Sequence, residues 1–156
     1  VDYLLPTPNV FKLVAGSGES ISPLNAFDQA LLEAGAGNVN LLKVSSILPP
    51  RAVFDENISL PPGSLVPVAY GTLTSSKQGA TIAAAVAVGI PEEGFGVIME
   101  YSGYVSKKEA EDIITGMVKE AFQTRNLKLT ECLVKAIEHR IIETGSVFAG
   151  VILWYD

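Results

Sequence analysis

Residues 80–90, ATIAAAVAVGI, carry no charged side chain and a single hydroxyl, that of Thr81. The run is too short to cross a bilayer as a helix, which takes about 20 apolar residues. Bounded by SSKQG on one side and Pro91 on the other, it reads as a strand. Apolar side chains then occupy both of its faces, and such a strand has to be covered on both sides. The segments LVPVAYGTLTS (65–75) and GFGVIMEYSG (94–103) share this character. The core is therefore expected to be a sheet enclosed between other layers.

The rest of the chain supplies candidates for those layers. VFKLVAGSG (10–18) alternates briefly and then meets Gly and Ser, which predicts a strand entering a loop. SPLNAFDQALLEAGAG (22–37) predicts a helix. Ser22 is placed to cap it, Pro23 fits its first position, and Gly35 suits a left-handed C-terminus; Leu24, Phe27, Leu31 and Ala34 recur at helical spacing. NVNLLKVSS (38–46) follows as a strand, and RAVFDENISLPPG (51–63) as a loop rich in proline and acids. SKKEAEDIITGMVKEAFQTRN (106–126) is the clearest helix, with a Ser106–Glu109 capping box and an apolar stripe running from Ala110 to Phe122. CLVKAIEHRII (132–142), a turn at ETGS and VFAGVILWYD (147–156) predict a closing hairpin. No repeat, linker or low-complexity tract divides the chain. The expectation is one α+β domain over residues 1–156, a sandwich with a mixed sheet core and at least two helices.

Charge and composition narrow the partners. A chain of 156 residues can close a core without disulfides or a structural metal. Its mean hydropathy of +0.34 exceeds what a soluble monomer needs, which points to apolar surface buried between subunits. Eleven Lys and Arg against seventeen Asp and Glu argue against nucleic acid and anionic membranes as partners and suit a cationic ligand. Cys132 is the single cysteine, and no His/Cys cluster has metal-ligand spacing, so a reducing, cytoplasmic setting without a metal is expected. No basic segment followed by an apolar one opens the chain.

Several patterns carry no chemistry on inspection. AGSGES lacks the Gly-Lys-Ser/Thr continuation of a phosphate loop and reads as a turn. His139, the sole histidine, has no Ser or Cys motif beside it and reads as a strand-surface or packed residue. Cys132 reads as a small buried hydrophobe. Asn57 begins an NIS glycosylation pattern that means little without a secretion signal.

Two carboxylates are less easily dismissed. Asp28 falls between Leu24 and Leu32 on the helical wheel, at the border of the apolar stripe. It is either a solvated residue at the stripe's edge or a carboxylate awaiting a partner. In GVIMEYSG the period of two puts Ile98 and Glu100 on one face and Val97, Met99 and Tyr101 on the other. Glu100 is thus a strand-end acid or one among apolar groups, where its pKa would rise and suit a proton donor. The pair Ser45–Ser46, with Pro49–Pro50 behind it, is on composition alone a strand end entering a turn.

Taken together, SPLNAFDQALLEAGAGNVNLLKVSSILPP, GSLVPVAYG, GVIMEYSGYVSKKEAE and the C-terminal FAGVILWYD resemble the pyruvoyl-dependent arginine decarboxylases, in order and from about residue 10 to the end. The resemblance implies a proenzyme that cuts itself between Ser45 and Ser46, giving a β chain of residues 1–45 and an α chain of residues 46–156. The Ser46 hydroxyl would attack the Ser45 carbonyl, the resulting ester would eliminate the upstream chain, and hydrolysis of the dehydroalanine would leave a pyruvoyl group at position 46. Asn40 matches a family asparagine that assists processing by hydrogen bonding, a service an amide can render to an oxyanion. Pro49–Pro50 would hold the exit segment in a fixed, non-helical path.

The same resemblance implies that the pyruvoyl ketone, with no pyridoxal phosphate and no metal, serves as the electron sink for decarboxylation. Glu100 would donate the proton to the α-carbon, and Asp28 would bind the substrate guanidinium through a two-bond fork, with Leu31 lining the same pocket. The implied reaction converts L-arginine to agmatine and CO2. The implied fold is a four-layer α-β-β-α sandwich, assembled as a homotrimer of processed protomers with active sites at subunit boundaries. Because the chain begins at Val1 and not methionine, an N-terminal segment is expected to have been trimmed or removed. Two other readings stand beside this one: a pyruvoyl decarboxylase of another basic or imidazole amino acid, and an unprocessed trimeric scaffold that binds a cationic ligand without catalysis.

Overall fold

Strand β6 (Thr81–Pro91) is buried along nearly its whole length because it lies inside one sheet, has a second sheet on one face and a helix on the other. The computed structural model describes residues 5–156. Around β6 it sets β1 (Val10–Ser20), α1 (Pro23–Glu33), β2 (Asn40–Lys43), β3 (Ile47–Leu48), β4 (Val53–Phe54), β5 (Leu65–Ser75), β7 (Gly96–Gly103), α2 (Lys107–Thr124), β8 (Leu129–Arg140) and β9 (Thr144–Trp154). The first sheet has the order β2-β5-β9-β1-β4 and the second β3-β7-β6-β8. The first is mixed, since β2 runs parallel to β5 and β4 parallel to β1; the second is antiparallel throughout.

Three apolar clusters stack these elements into four layers. Ala84, Val86, Val88 and Ile98 of the second sheet meet Ala69, Val147, Ala149 and Val151 of the first. On the far side of the second sheet, Ala83, Ala85, Ala87 and Val97 pack on Ala110, Ile114, Val118 and Phe122 of α2. On the far side of the first, Val66, Val68, Phe148 and Ile152 pack on Ala30 and Ala34 of α1. The order is α-β-β-α, and the doubly apolar strands are those covered on both faces.

Both helices end as their sequences dictate. Ser22 Oγ accepts from the Asn25 N–H at 3.4 Å, and Gly35, at φ +81°, closes α1 with the Ala36 N–H on the Leu31 carbonyl and the Gly35 N–H on that of Leu32. The Ser106–Glu109 box caps α2, and Asn126, at φ 55°, takes the left-handed position after it.

Five expectations are corrected. AGSGES is not a turn, because β1 continues through it to Ser20 and pairs with β9 over eleven residues. Its glycines serve packing: a Cβ at Gly16 would lie 2.3 Å from the Ala30 carbonyl oxygen, and one at Gly18 2.3 Å from that of Ala26. The helix backbone rests on the strand there, so the buried face of α1 is built on small residues and Leu24 is 74% exposed, outside the stripe. The expected closing hairpin does not form: β8 pairs with β6 and β9 with β1 and β5, in different sheets. The strand expected over 38–46 stops at Lys43, and the loop after it contains β4.

Candidate active site

The chain passes from one sheet to the other at the serine pair. On the upstream side, the Val44 N–H donates to the Val68 carbonyl of β5 at 3.0 Å. On the downstream side, the Ile98 N–H of β7 donates to the Ser46 carbonyl at 2.7 Å, and Ile47 and Leu48 pair with Val97 and Gly96. Two peptide units, Val44–Ser45 and Ser45–Ser46, span the gap between these anchors. Among the described residues, neither the Ser45 carbonyl nor the Ser46 N–H is engaged by another backbone group. Ser45 is exposed and Ser46 half-buried.

A cavity of about 370 Å³ opens beside the pair, walled by Pro6, Pro8, Leu42, Val44, Pro67 and Leu153. Its rim is apolar and open to solvent: Leu5 is 75% exposed, Leu65 62%, Ile47 44% and Leu42 41%. Surface of this kind is ordinarily covered by another molecule.

Glu100 lies one pleat beyond Ile98 on the same face of β7, pointing between the sheets as its alternation predicts. Glu100 lies near enough to Lys43 to feel its charge, but it does not line the cavity beside the serines. Here the sheets converge: a Cβ on Gly71 of β5 would come within 3.1 Å of the Tyr101 carbonyl oxygen, and Ser102 Oγ donates to the Thr72 carbonyl at 3.1 Å. Burial pushes the Glu100 carboxyl above its ordinary value, and the positive charge of Lys43 opposes that rise. Lys43, immediately upstream of Val44, rests its ammonium 4.8 Å from the centre of the Tyr70 ring. Neither Lys43 nor Tyr70 stands out in the sequence; the only available signal was that Lys43 lies two residues before the serine pair.

The other expected site residues are not gathered here within one protomer. Asp28 and Leu31 ride on α1, on the outer side of the first sheet. Asp28 is exposed, and Leu31 packs into the cluster containing Tyr70 and Phe148. Neither lines the cavity beside the serines. Asn40 opens β2, with its N–H on the Ser64 carbonyl at 2.8 Å and its side-chain amide on the Gly63 carbonyl at 3.1 Å. It stands at the end of β2 away from Ser45, about 16 Å along an extended chain at 3.3 Å per residue.

His139 is a packed residue: its Nε2 lies 2.7 Å from Glu19 Oε1, tying β8 to the end of β1. Cys132 is half-buried, and burial raises its thiol pKa. No helix among the described residues is long and apolar enough to cross a membrane.

The family model for pyruvoyl-dependent arginine decarboxylase matches residues 10–152 of the chain. A pyruvoyl-dependent arginine decarboxylase of Methanocaldococcus jannaschii is 49% identical over 150 residues, covering 95% of this chain and 91% of that protein. One from Methanococcus maripaludis strain C7 is 46% identical, covering 95% and 92%. One from Pyrococcus horikoshii is 39% identical over 153 residues, covering 96% of each.

Proposed function

The chain belongs to the pyruvoyl-dependent arginine decarboxylase family, and on that premise we propose that it cleaves itself between Ser45 and Ser46 and then decarboxylates L-arginine to agmatine and CO2. The observation that carries the reading is the short stretch strung between two sheets from the Val44 N–H to the Ser46 carbonyl. Both its ends are anchored, while the carbonyl and N–H of the Ser45–Ser46 peptide within it are left unpaired by the backbone. The Ser46 hydroxyl is on the residue that follows the carbonyl it attacks, and the released N-terminal piece has no reason to leave. Residues 10–20 remain paired with β9 along eleven positions, and α1 remains packed on β1 and β9. Residues 1–4 of that piece lie outside the described residues.

Position 46 suits a pyruvoyl group, which when formed supplies a ketone that withdraws electrons from the substrate's α-carbon. The residue-46 carbonyl that accepts from Ile98 becomes the amide carbonyl next to that ketone, so β7 fixes the group's orientation. Glu100, whose pKa burial raises against the pull of Lys43, is the proposed store of the proton destined for the α-carbon. The apolar wall of the cavity, once its open rim is covered by a neighbouring protomer, keeps water from the carboxylate that leaves.

Asp28 and Leu31 enter the proposal through assembly. The serine pair is ringed by exposed Leu42, Ile47 and Leu65, and Asp28 is flanked by exposed Leu24 and Leu32. Two different apolar patches on one protomer suit a head-to-tail contact, which closes a ring. In the proposed homotrimer, Asp28 and Leu31 of one protomer reach the serine site of the next, and Asp28 receives the guanidinium. Asn40 stands too far from Ser45 in its own protomer to aid cleavage there, so its proposed part in processing, through the amide proton and oxygen that Gly63 leaves free, rests on assembly as well. A cytoplasmic location is proposed on the strength of the lone thiol.

The test is the intact mass of the denatured protein, followed by an agmatine assay with arginine, lysine and histidine as competing substrates. Two fragments, 1–45 and a blocked chain from position 46, with agmatine as product are expected. A single uncut mass would overturn the cleavage, and preference for another amino acid would overturn the substrate.

A further inference from the structure

Strand β8 has twelve residues but, among the described residues, only one neighbouring strand. β6 occupies one of its edges, and among the described residues no strand pairs with the other. A long open edge offers a row of unpaired backbone groups to any other strand, and proteins usually shorten, bulge or cover it. β8 has a bulge near Thr130, whose hydroxyl donates to the Ile90 carbonyl at 2.8 Å, but it sits at one end and leaves residues 131–140 in regular register with β6.

The exposed side chains of that regular stretch are self-complementary. A strand pairs antiparallel with its own copy about a two-fold axis that keeps each sheet face on its own side, so the centre of the pairing falls on a residue. Centred on Leu133, Glu131 stands opposite Lys135 of the second copy, and Lys135 opposite Glu131. Cys132 then meets Val134. Centring on Cys132 or Val134 puts Glu131 and Lys135 against apolar residues, and centring on Glu131 or Lys135 puts like charges face to face. Opposite charges across a strand pair stabilise it and like charges do the reverse. A lysine that merely guarded the edge would need no acid at the matching position. Within the protein, neither Glu131 nor Lys135 has an ion-pair partner among the described residues.

The surroundings leave room for a neighbour. A groove of about 330 Å³ runs beside Leu133, Val134 and Lys135, bordered by Phe54 of β4 and by Lys107 and Glu111 of α2. Val134 is 37% exposed and Phe54 43%. We infer that the free edge of β8 is a self-association surface, on which a second copy of this chain docks antiparallel with Leu133 at the two-fold axis. The contact is isologous and so differs from the head-to-tail contact that closes a ring; it joins two such assemblies.

The experiment measures the molar mass of the full protein by light scattering, for wild type, Lys135→Glu, Glu131→Lys and the double charge swap. Each single variant sets like charges opposite each other and is expected to halve the mass. The double swap restores every opposite-charge pair and is expected to restore it. Self-cleavage, read by denatured intact mass, reports that each variant folds, and two single variants guard against one failing. An unchanged mass in the folded single variants, a change by a factor other than two, or a double swap that stays at half mass would overturn the inference.

Discussion

The backbone N–H of Ile98 donates to the carbonyl oxygen of Ser46 at 2.7 Å, so β7 grips the residue just after the bond proposed to break. That grip depends on β3 lying close to β7, and the closeness depends on Gly96. A Cβ there would fall 2.6 Å from the Gly89 carbonyl oxygen and 3.1 Å from the Leu48 Cβ. Gly96→Val is expected to force β7 off Gly89 of β6 and crowd Leu48 of β3, and so to slow self-cleavage by roughly tenfold, about 1.4 kcal/mol of lost positioning. A time course of denatured intact mass checks it. Cleavage at the wild-type rate in a folded variant would show that the β7 anchor plays no part.

Glu100 carries the second prediction. Burial raises its carboxyl and Lys43 partly offsets the rise. An acid that must be protonated to act loses activity as pH climbs through its pKa, so the raised value extends activity upward from the ordinary carboxylate range. Glu100→Gln is expected to lower kcat by roughly 10²- to 10⁴-fold and to abolish that limb of the pH profile. Lys43→Met removes the opposing charge and is expected to move the limb to higher pH. Rates are taken per processed protomer. A limb that stays in place in Lys43→Met would mean that Lys43 does not act on Glu100.

Glu19 links pH to stability. Burial works to raise its carboxyl, but the N–H of Ile142 at 2.8 Å, the His139 ring at 2.7 Å and the N–H of Glu143 at 3.2 Å outweigh it and hold the pKa below the ordinary value. A lowered folded-state pKa means stabilisation that is present above the unfolded value and is lost as pH falls through the folded one. Glu19→Gln is expected to cost about 1 kcal/mol near neutral pH, below the usual range for charged hydrogen bonds because the side chain is 23% exposed. Urea unfolding at neutral and acidic pH should show the two proteins converging as pH falls.

Gly16 and Gly18 show where sequence reading stops. Periodicity revealed both helices, the buried strands and the face on which Glu100 lies, because each depends on neighbours a few residues apart. The glycines of β1 looked like a turn because their purpose is contact with Ala26 and Ala30, on another element. The division of β8 and β9 between sheets was hidden likewise, since a short turn between two strands reads as a hairpin unless both partners are known. The serine pair was visible only through family resemblance; its place between two sheets depends on Val68 and Ile98, far along the chain. Gly18→Val should therefore act on the helix contact. It is expected to cost about 3 kcal/mol or more, with α1 displaced, read as a lowered denaturation midpoint.

Asp28 tests assembly and substrate choice together. In one protomer it is exposed, has no ion-pair partner among the described residues, and lies away from the cavity beside the serines. A surface aspartate of that kind can be changed to asparagine at little cost to stability. In the proposed trimer it is covered by the next protomer and forms the fork with the guanidinium, and losing one partner of such a pair costs about 2–5 kcal/mol. Asp28→Asn is thus expected to leave self-cleavage and denaturation unchanged. The kcat/KM for arginine should fall by roughly 30-fold to several thousand-fold, mostly through KM, at 1.36 kcal/mol per decade. Mixing it with a Ser46→Ala chain, which has no pyruvoyl group, separates the two ideas. If Asp28 serves the neighbouring protomer's serine site, mixed trimers should recover activity, because some Asp28→Asn protomers then receive an intact aspartate next door. Recovery requires the shared site, and failure to recover in demonstrably mixed trimers would place Asp28 and the serines within one protomer.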